Sequence, residues 1–303
     1  MNDLKIKKRH SWQLFSKQDF YELLQFRDLL ITLIKRDVNV VYKQSVLGFG
    51  WAIIKPVFQM LIFTFLFTNI AEVEMDDKSV PYMVFNFVAL VPFTYFSSAL
   101  TASTSSLISN EAFVTKVYFP RLIIPLVPII AKLVDFAIAM LVLAVMLIYY
   151  YQTEPGSIAI GMNILFLPLL ILLLVIFSFG ISLWFSALAI QYRDLNQIVI
   201  FLSQFMMYMA PIVWPFSRLH GKIAPQVEAL IGIEGTASFF EKLYSFFPLA
   251  GIIEGFRSCL IGGKAYSEMP WELIINGSIT SILLLLTGVY FFRTKESIFA
   301  DVA

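Results

Sequence analysis

Few residues of this chain are spaced to do chemistry by themselves. Glu72, Glu74, Asp76 and Asp77 form its densest acidic group, and carboxylates so close could act as general acids and bases or hold a divalent cation. They fall in a short stretch between two apolar runs, where a solvated charged turn is the simpler account. The two histidines, His10 and His220, both lie outside the apolar runs, so no nucleophile–histidine–carboxylate set can be assembled at one depth. The single cysteine, Cys259, permits no intrachain disulfide and no cysteine-based zinc site. Two histidines are too few for a histidine-rich metal centre. The nearest approach to a phosphate-cradling loop is Ile261-Gly262-Gly263-Lys264-Ala265. It lacks the earlier glycine and the following Ser or Thr that such a loop uses. The chain is therefore expected to carry no catalytic residues, no metal and no cofactor. Any ATP and magnesium it uses belong to a separate subunit.

Two other groups of residues carry more information. Lys132 and Asp135 are three apart in an apolar run, about 18 Å in from Pro120 at 1.5 Å per residue. A lone charge at that depth would cost at least a few kcal/mol, so a mutually neutralising pair is expected, with a proton relay as the alternative. Aromatic residues make up 16% of the chain and recur at helical spacing. Trp51, Phe58 and Phe65 are seven apart, as are Phe177 and Trp184; Phe201, Phe205, Tyr208 and Ile212 share one face, with Trp214 just beyond. Such stripes serve helix packing or lipid contact. Alternatively they line a conduit in which flat rings stack on sugars without fixing register, as aromatic platforms grip single strands.

The elements that position these residues follow from composition. The 303 residues are 59% hydrophobic and 14% charged, with a mean hydropathy of +0.79, against about 45–50% and about 25% in soluble domains. A soluble globular enzyme is excluded, because one core cannot bury that excess. Net charge is +1, without the basic footprint of a nucleic-acid binder. Six apolar runs are long enough to span a bilayer: about 47–70, 80–108, 122–150, 162–190, 196–215 and 273–292. Leu243 to Gly262 is interrupted by Pro248, Glu254 and Arg257 and reads as a broken re-entrant hairpin within an outer segment of about 216–270.

Residues 1–46 hold nine basic residues, among them Arg27, Lys35, Arg36 and Lys43. No cleavable leader pattern follows, so the segment is expected to be retained. Within it Phe20, Leu23, Phe26, Leu30, Leu33, Ile34, Val38 and Val41 recur at steps of three and four, the pattern of an amphipathic helix lying in the membrane interface or packed on a partner. With the N-terminus inside, the inner side holds fourteen Lys and Arg and the outer side six. Basic residues favour the cytoplasmic side, so both termini, including a tail at 294–303, are expected in the cytoplasm.

Tyr42-Lys43-Gln44-Ser45-Val46-Leu47-Gly48-Phe49-Gly50-Trp51-Ala52-Ile53-Ile54-Lys55-Pro56 resembles the first-span signature of membrane subunits of polysaccharide ABC exporters. Matching motifs follow in order: Val114-Thr115-Lys116-Val117-Tyr118-Phe119-Pro120-Arg121, Tyr192-Arg193-Asp194-Leu195, Pro211-Ile212-Val213-Trp214-Pro215, and Pro248 through Arg257. The resemblance covers nearly the whole chain from about residue 25. It implies an all-α integral membrane protein with six transmembrane helices, an N-terminal interface helix and a re-entrant outer hairpin. It also implies a homodimer with two cytosolic ATPase subunits, exporting a polyprenyl-diphosphate-linked polysaccharide such as O-antigen, capsule or teichoic acid across the cytoplasmic (inner) membrane. A coupling helix over about 109–120 would bring Glu111, Phe113, Lys116 and Tyr118 to the ATPase, with Arg193 and Asp194 nearby. Trp51, Phe58, Phe65, Phe201, Phe205, Tyr208 and Trp214 would line the channel. Arg27, Lys35, Arg36, Lys43 and Lys55 would hold the lipid-diphosphate head group, or would simply set topology and meet membrane lipid. Pro248, Glu254 and Arg257 would belong to the outer gate. Residues 217–241 look longer than the family's outer segment. A lipid or drug exporter of the same architecture, an ion-coupled flippase and a membrane sugar transferase are the alternatives. The last two call for intramembrane acids or an acidic cluster at one face.

Overall fold

The computed structural model describes residues 25–43, 48, 50–70, 80–111, 119–154, 156–192, 194–262 and 266–296. Helix α1 (Arg27–Lys43) precedes α2 (Gly50–Phe65), which one π turn prolongs through Leu66–Ile70. Then follow α3 (Tyr82–Ser109), α4 (Ile123–Thr153), a 3-10 turn at Met162–Phe166 leading into α5 (Leu167–Ala189), and α6 (Leu195–Met209). A π turn at Leu219–Ile223 opens α7 (Ala224–Ile231); α8 (Thr236–Ser245), α9 (Pro248–Leu260) and α10 (Trp271–Lys295) complete the order. The architecture is that of an all-α integral membrane protein. Among the described residues, five helices are long and apolar enough to cross a bilayer: α2, α3, α4, α5 and α10, with α2 and α5 including their adjoining turns.

The fifth expected span departs from its sequence reading. Helix α6 has 15 residues, about 22 Å at 1.5 Å each, against a hydrocarbon thickness of about 30 Å. Pro211 explains the early stop, because a proline pushes its predecessor out of the helical region, and Ala210 is extended at φ −70°, ψ 147°. The expected break near 248 also sharpens. Phe247 is extended and Pro248 takes the first turn of α9, where a missing N–H costs nothing. Glu254 and Arg257 do not interrupt α9, because they pair with each other inside it at 2.6 Å.

Helix α3 is the centre. It packs against α2, α4, α5, α6 and α9, and Phe85, Phe87, Leu90, Phe96 and Leu100 are all fully buried around its circumference. A helix apolar on every side needs such company or lipid. Glycines set the closest contacts, as small residues do where helices meet in membranes. A Cβ on Gly288 of α10 would come within 2.6 Å of the Gly180 carbonyl of α5. One on Gly251 of α9 would come within 2.6 Å of the Leu273 carbonyl.

The two ends of the bundle are distinct. At one, Leu33 of α1 is buried against Leu107, Phe119 and Ile123, Arg36 donates to Asn110 Oδ1 at 2.8 Å, and Arg121 donates to the Glu296 carbonyl. Helix α1 and the end of α10 therefore share this end, here called the inner end. At the outer end the Ala159 amide donates to the Ile261 carbonyl at 2.8 Å. Gly262 turns there at φ +61°, where any Cβ would collide with the Ala159 carbonyl.

Candidate functional site

Three regions hold the residues singled out in the sequence. At the inner end, the apolar side of α1 settles Leu33 and its neighbours on the ends of α3 and α4, which turns Arg36 toward the bundle. Its guanidinium donates to Asp37 Oδ1 (2.8 Å) and to Asn110 (2.8 Å), the residue that ends α3. Arg27 and Lys35 point away and are exposed, Arg27 lying 3.5 Å from Asp28. Glu111 and Asp194 are exposed at the same end. Phe113, Lys116, Tyr118 and Arg193, and the side chain of Lys43, lie outside the described residues, as do Glu72, Glu74, Asp76 and Asp77.

Deeper on the same side, Lys132 and Asp135 form an ion pair at 2.9 Å across one turn of α4. The Tyr42 hydroxyl donates to the other Asp135 oxygen. That bond ties the last turn of α1 to α4, and nothing in the spacing of Lys132 and Asp135 announced it. Lys55 of α2 is exposed, its ammonium 5.8 Å over the Trp51 ring.

The second region is a face. Helices α2 and α6 both rest on α3, and Gln59 reaches Met207 Sδ at 3.8 Å between them. On their outward side Phe58 and Phe65 are each 61% exposed, Phe201 69% and Tyr208 67%; Trp51 and Phe205 are exposed beside them. Six of the seven aromatics expected in a conduit thus stand unpacked on two neighbouring helices. Trp214 is half-buried and packs near Tyr244, with ring centres 6.1 Å apart. Ile212 lies past the end of α6 and is fully buried. The stripe on α5 is packing: Phe177 stacks on Phe96 at 5.0 Å, and Trp184 stacks on Phe291 at 4.3 Å. Mid-helix, the outward sides of α4 and α10 carry Leu141, Val145, Ile279 and Leu283 instead.

The third region lies where α6 stops. A helix that ends within an apolar bundle leaves carbonyls needing donors, and three side chains from three elements supply them. The Tyr244 hydroxyl of α8 donates to the Met209 carbonyl at 2.7 Å, Arg257 Nη2 of α9 to Ile212 at 3.0 Å, and the Tyr82 hydroxyl of α3 to Val213 at 2.9 Å. Arg257 is fully buried, lies 3.5 Å over the Phe85 ring and pairs with Glu254. A buried cation is tolerable only with such compensation. Pro211 was the sequence signal for this cluster, since a proline inside an apolar run implies stranded carbonyls nearby. Among the described residues no group of His, Cys, Asp or Glu could hold a metal ion.

Residues 28–225 match the ABC-2 type transporter family. The chain is 29% identical over 282 residues to the O-antigen export system permease protein RfbA of Klebsiella pneumoniae, spanning 93% of this chain and 97% of that protein. It is 28% identical over 203 residues to the O-antigen export system permease protein RfbA of Myxococcus xanthus, spanning 67% and 74%. It is also 29% identical over 269 residues to the polysialic acid transport protein KpsM of Escherichia coli, spanning 87% and 92%.

Proposed function

Because this chain belongs to the ABC-2 type transporter family, we propose that it is the membrane subunit of an ATP-driven exporter of a lipid-linked polysaccharide, acting as a homodimer with two cytosolic ATPase subunits. Its relatives are permeases named for O-antigen export and polysialic acid transport. The observation that carries the substrate reading is the unpacked aromatic face of α2 and α6. Lipid alone asks for no aromatic rings at mid-helix, as α4 and α10 illustrate, whereas a sliding glycan uses flat rings that grip without register. One such face is half a conduit, and a second copy of the chain supplies the other half.

Fourteen inner against six outer basic residues support a topology with both termini in the cytoplasm and the complex in the inner membrane. The ATPase then docks at the inner end, on Glu111, Phe113, Lys116, Tyr118, Arg193 and Asp194. Arg27, Lys35, Arg36, Lys43 and Lys55 meet the diphosphate head group. ATP and magnesium act on the partner, and ATP drives the cycle only by binding one state of the complex more tightly than the other. Pro248, Glu254 and Arg257 belong to an outer hairpin that dips into the membrane at the exit.

Deletion of the chain in its host tests this reading. Lipid-linked polymer is expected to accumulate inside the cell and to return to the surface on complementation, provided the ATPase retains its nucleotide-binding lysine. Normal surface polymer in the deletion strain, or export that persists with an inactive ATPase, overturns it.

A further inference from the structure

Between α1 and the facing sides of α3 and α4 lies a cavity of about 480 Å³. A second of about 260 Å³ adjoins it toward α2 and shares Val41, Tyr42, Lys132 and Asp135. We propose that this joined cavity binds the phosphate-bearing head group of an anionic membrane lipid, with Lys132, Lys55 and Arg36 as its cations.

Four observations converge on that ligand. The larger chamber falls in the range of small-ligand pockets, about 300–1,000 Å³. Its walls and those of its neighbour carry three cations, Arg36, Lys55 and Lys132, against two carboxylates, Asp37 and Asp135, so one positive charge stands in excess where charge is costly to leave unbalanced. The Lys132 ammonium has three N–H donors and gives one to Asp135, which leaves the charge poised to bridge carboxylate and phosphate. The lining is also divided by polarity: Ser105, Ser109 and Asn110 gather on the last turns of α3, while Val38, Pro128 and Ala131 form an apolar wall. That division suits a head group with an acyl chain behind it. Lys132 stands nine residues into α4, about 13 Å along the helix from its inner end.

An ordinary anionic phospholipid and a polyprenyl diphosphate present the same chemistry, so either could be the source. The inference deepens the head-group reading above and shares Arg36 and Lys55 with it. Binding is measured without transport, so the two readings fail separately.

The test uses the purified full chain in nanodiscs, with phosphatidylglycerol, a polyprenyl diphosphate and phosphatidylcholine as probes, read by native mass spectrometry and by thermal shift. Two variants accompany the native protein: Lys132→Gln removes a cation, and Ala131→Leu fills the chamber without touching charge. The anionic probes are expected to bind at least about tenfold more tightly than phosphatidylcholine, and both variants to lose that advantage, a difference of one charged hydrogen bond. Tighter binding of phosphatidylglycerol identifies a phospholipid occupant; tighter binding of the diphosphate identifies the carrier. The proposal is overturned if phosphatidylcholine binds as well, or if monodisperse Ala131→Leu protein keeps native affinity. Should Lys132→Gln not fold, Lys132→Arg retains the charge and is expected to retain binding, and its failure to do so while Ala131→Leu also binds normally counts against the site.

Discussion

Helices α2 and α3 have the same mean hydropathy, 1.6 over their most apolar stretches, yet 78% of that stretch of α3 is buried within the chain and 6% of that of α2. Hydropathy reports the solvent a helix tolerates; it does not report what covers it. Helix α3 spends its apolar surface on five neighbours, and even its small polar residues face protein: Ser103 donates to the Pro125 carbonyl at 2.8 Å, and Tyr95 donates to Ile129 at 3.0 Å. Helix α2 leans on α3 by one side only and turns Phe58 and Phe65 outward. The same difference separates the fully buried α9, of 13 residues, from α6, of 15, whose Phe201 and Tyr208 stand exposed. The buried helices hold the molecule together, and the unpacked pair is what remains available for something outside the chain.

Substitutions on the two sides of this contrast should behave oppositely. The largest effect on folding is expected from Phe96→Ala in α3, which removes a fully buried ring stacked on Phe177 and should cost about 3–5 kcal/mol. Thermal unfolding of purified protein reads this, and a cost below about 1 kcal/mol would erase the contrast. Arg257→Met should cost nearly as much, about 3–5 kcal/mol, because Glu254 is left buried without its cation. Pairing it with Glu254→Leu should recover most of the loss in the same assay, which separates charge imbalance from lost packing. Tyr82→Phe removes one hydroxyl from the Val213 carbonyl and is expected to cost about 1–3 kcal/mol, the desolvation of an orphaned carbonyl. Smallest on folding are Phe58→Ala and Phe201→Ala, within about 0.5 kcal/mol of native, although both should lower surface polymer in a complementation assay. Equal loss of folding and export would move α2 and α6 to the packed side of the comparison.

Much of the architecture is legible in the amino-acid sequence. Uncharged runs marked the long helices, because a run of about 20 apolar residues has few alternatives. The three-residue spacing of Lys132 with Asp135 points to a pair, since such neighbours share a helix face, whereas Glu254 and Arg257 read as breaks in an apolar stretch and instead pair inside α9. Local spacing stops at the edge of its own helix. It gave no hint that Tyr42 joins Asp135 or that Asn110 receives Arg36, because those partners lie 93 and 74 residues apart. Hydropathy counts Pro211 to Pro215 as one more apolar turn of α6, whereas backbone sterics end the helix at Met209. The centrality of α3 left no periodic trace, since a helix apolar on all sides looks the same whether protein or lipid surrounds it.

The meeting of Gly180 with Gly288 has a mechanical consequence. Backbone touches backbone there, with no side chain between that could change rotamer and let one helix slide past the other. The stacked rings of Trp184 and Phe291 lock the same pair nearer the inner end. Helices α5 and α10 therefore form one closely seamed pair, with α9 packed against both. Helices α2 and α6 present exposed rings where α5 and α10 present this backbone seam.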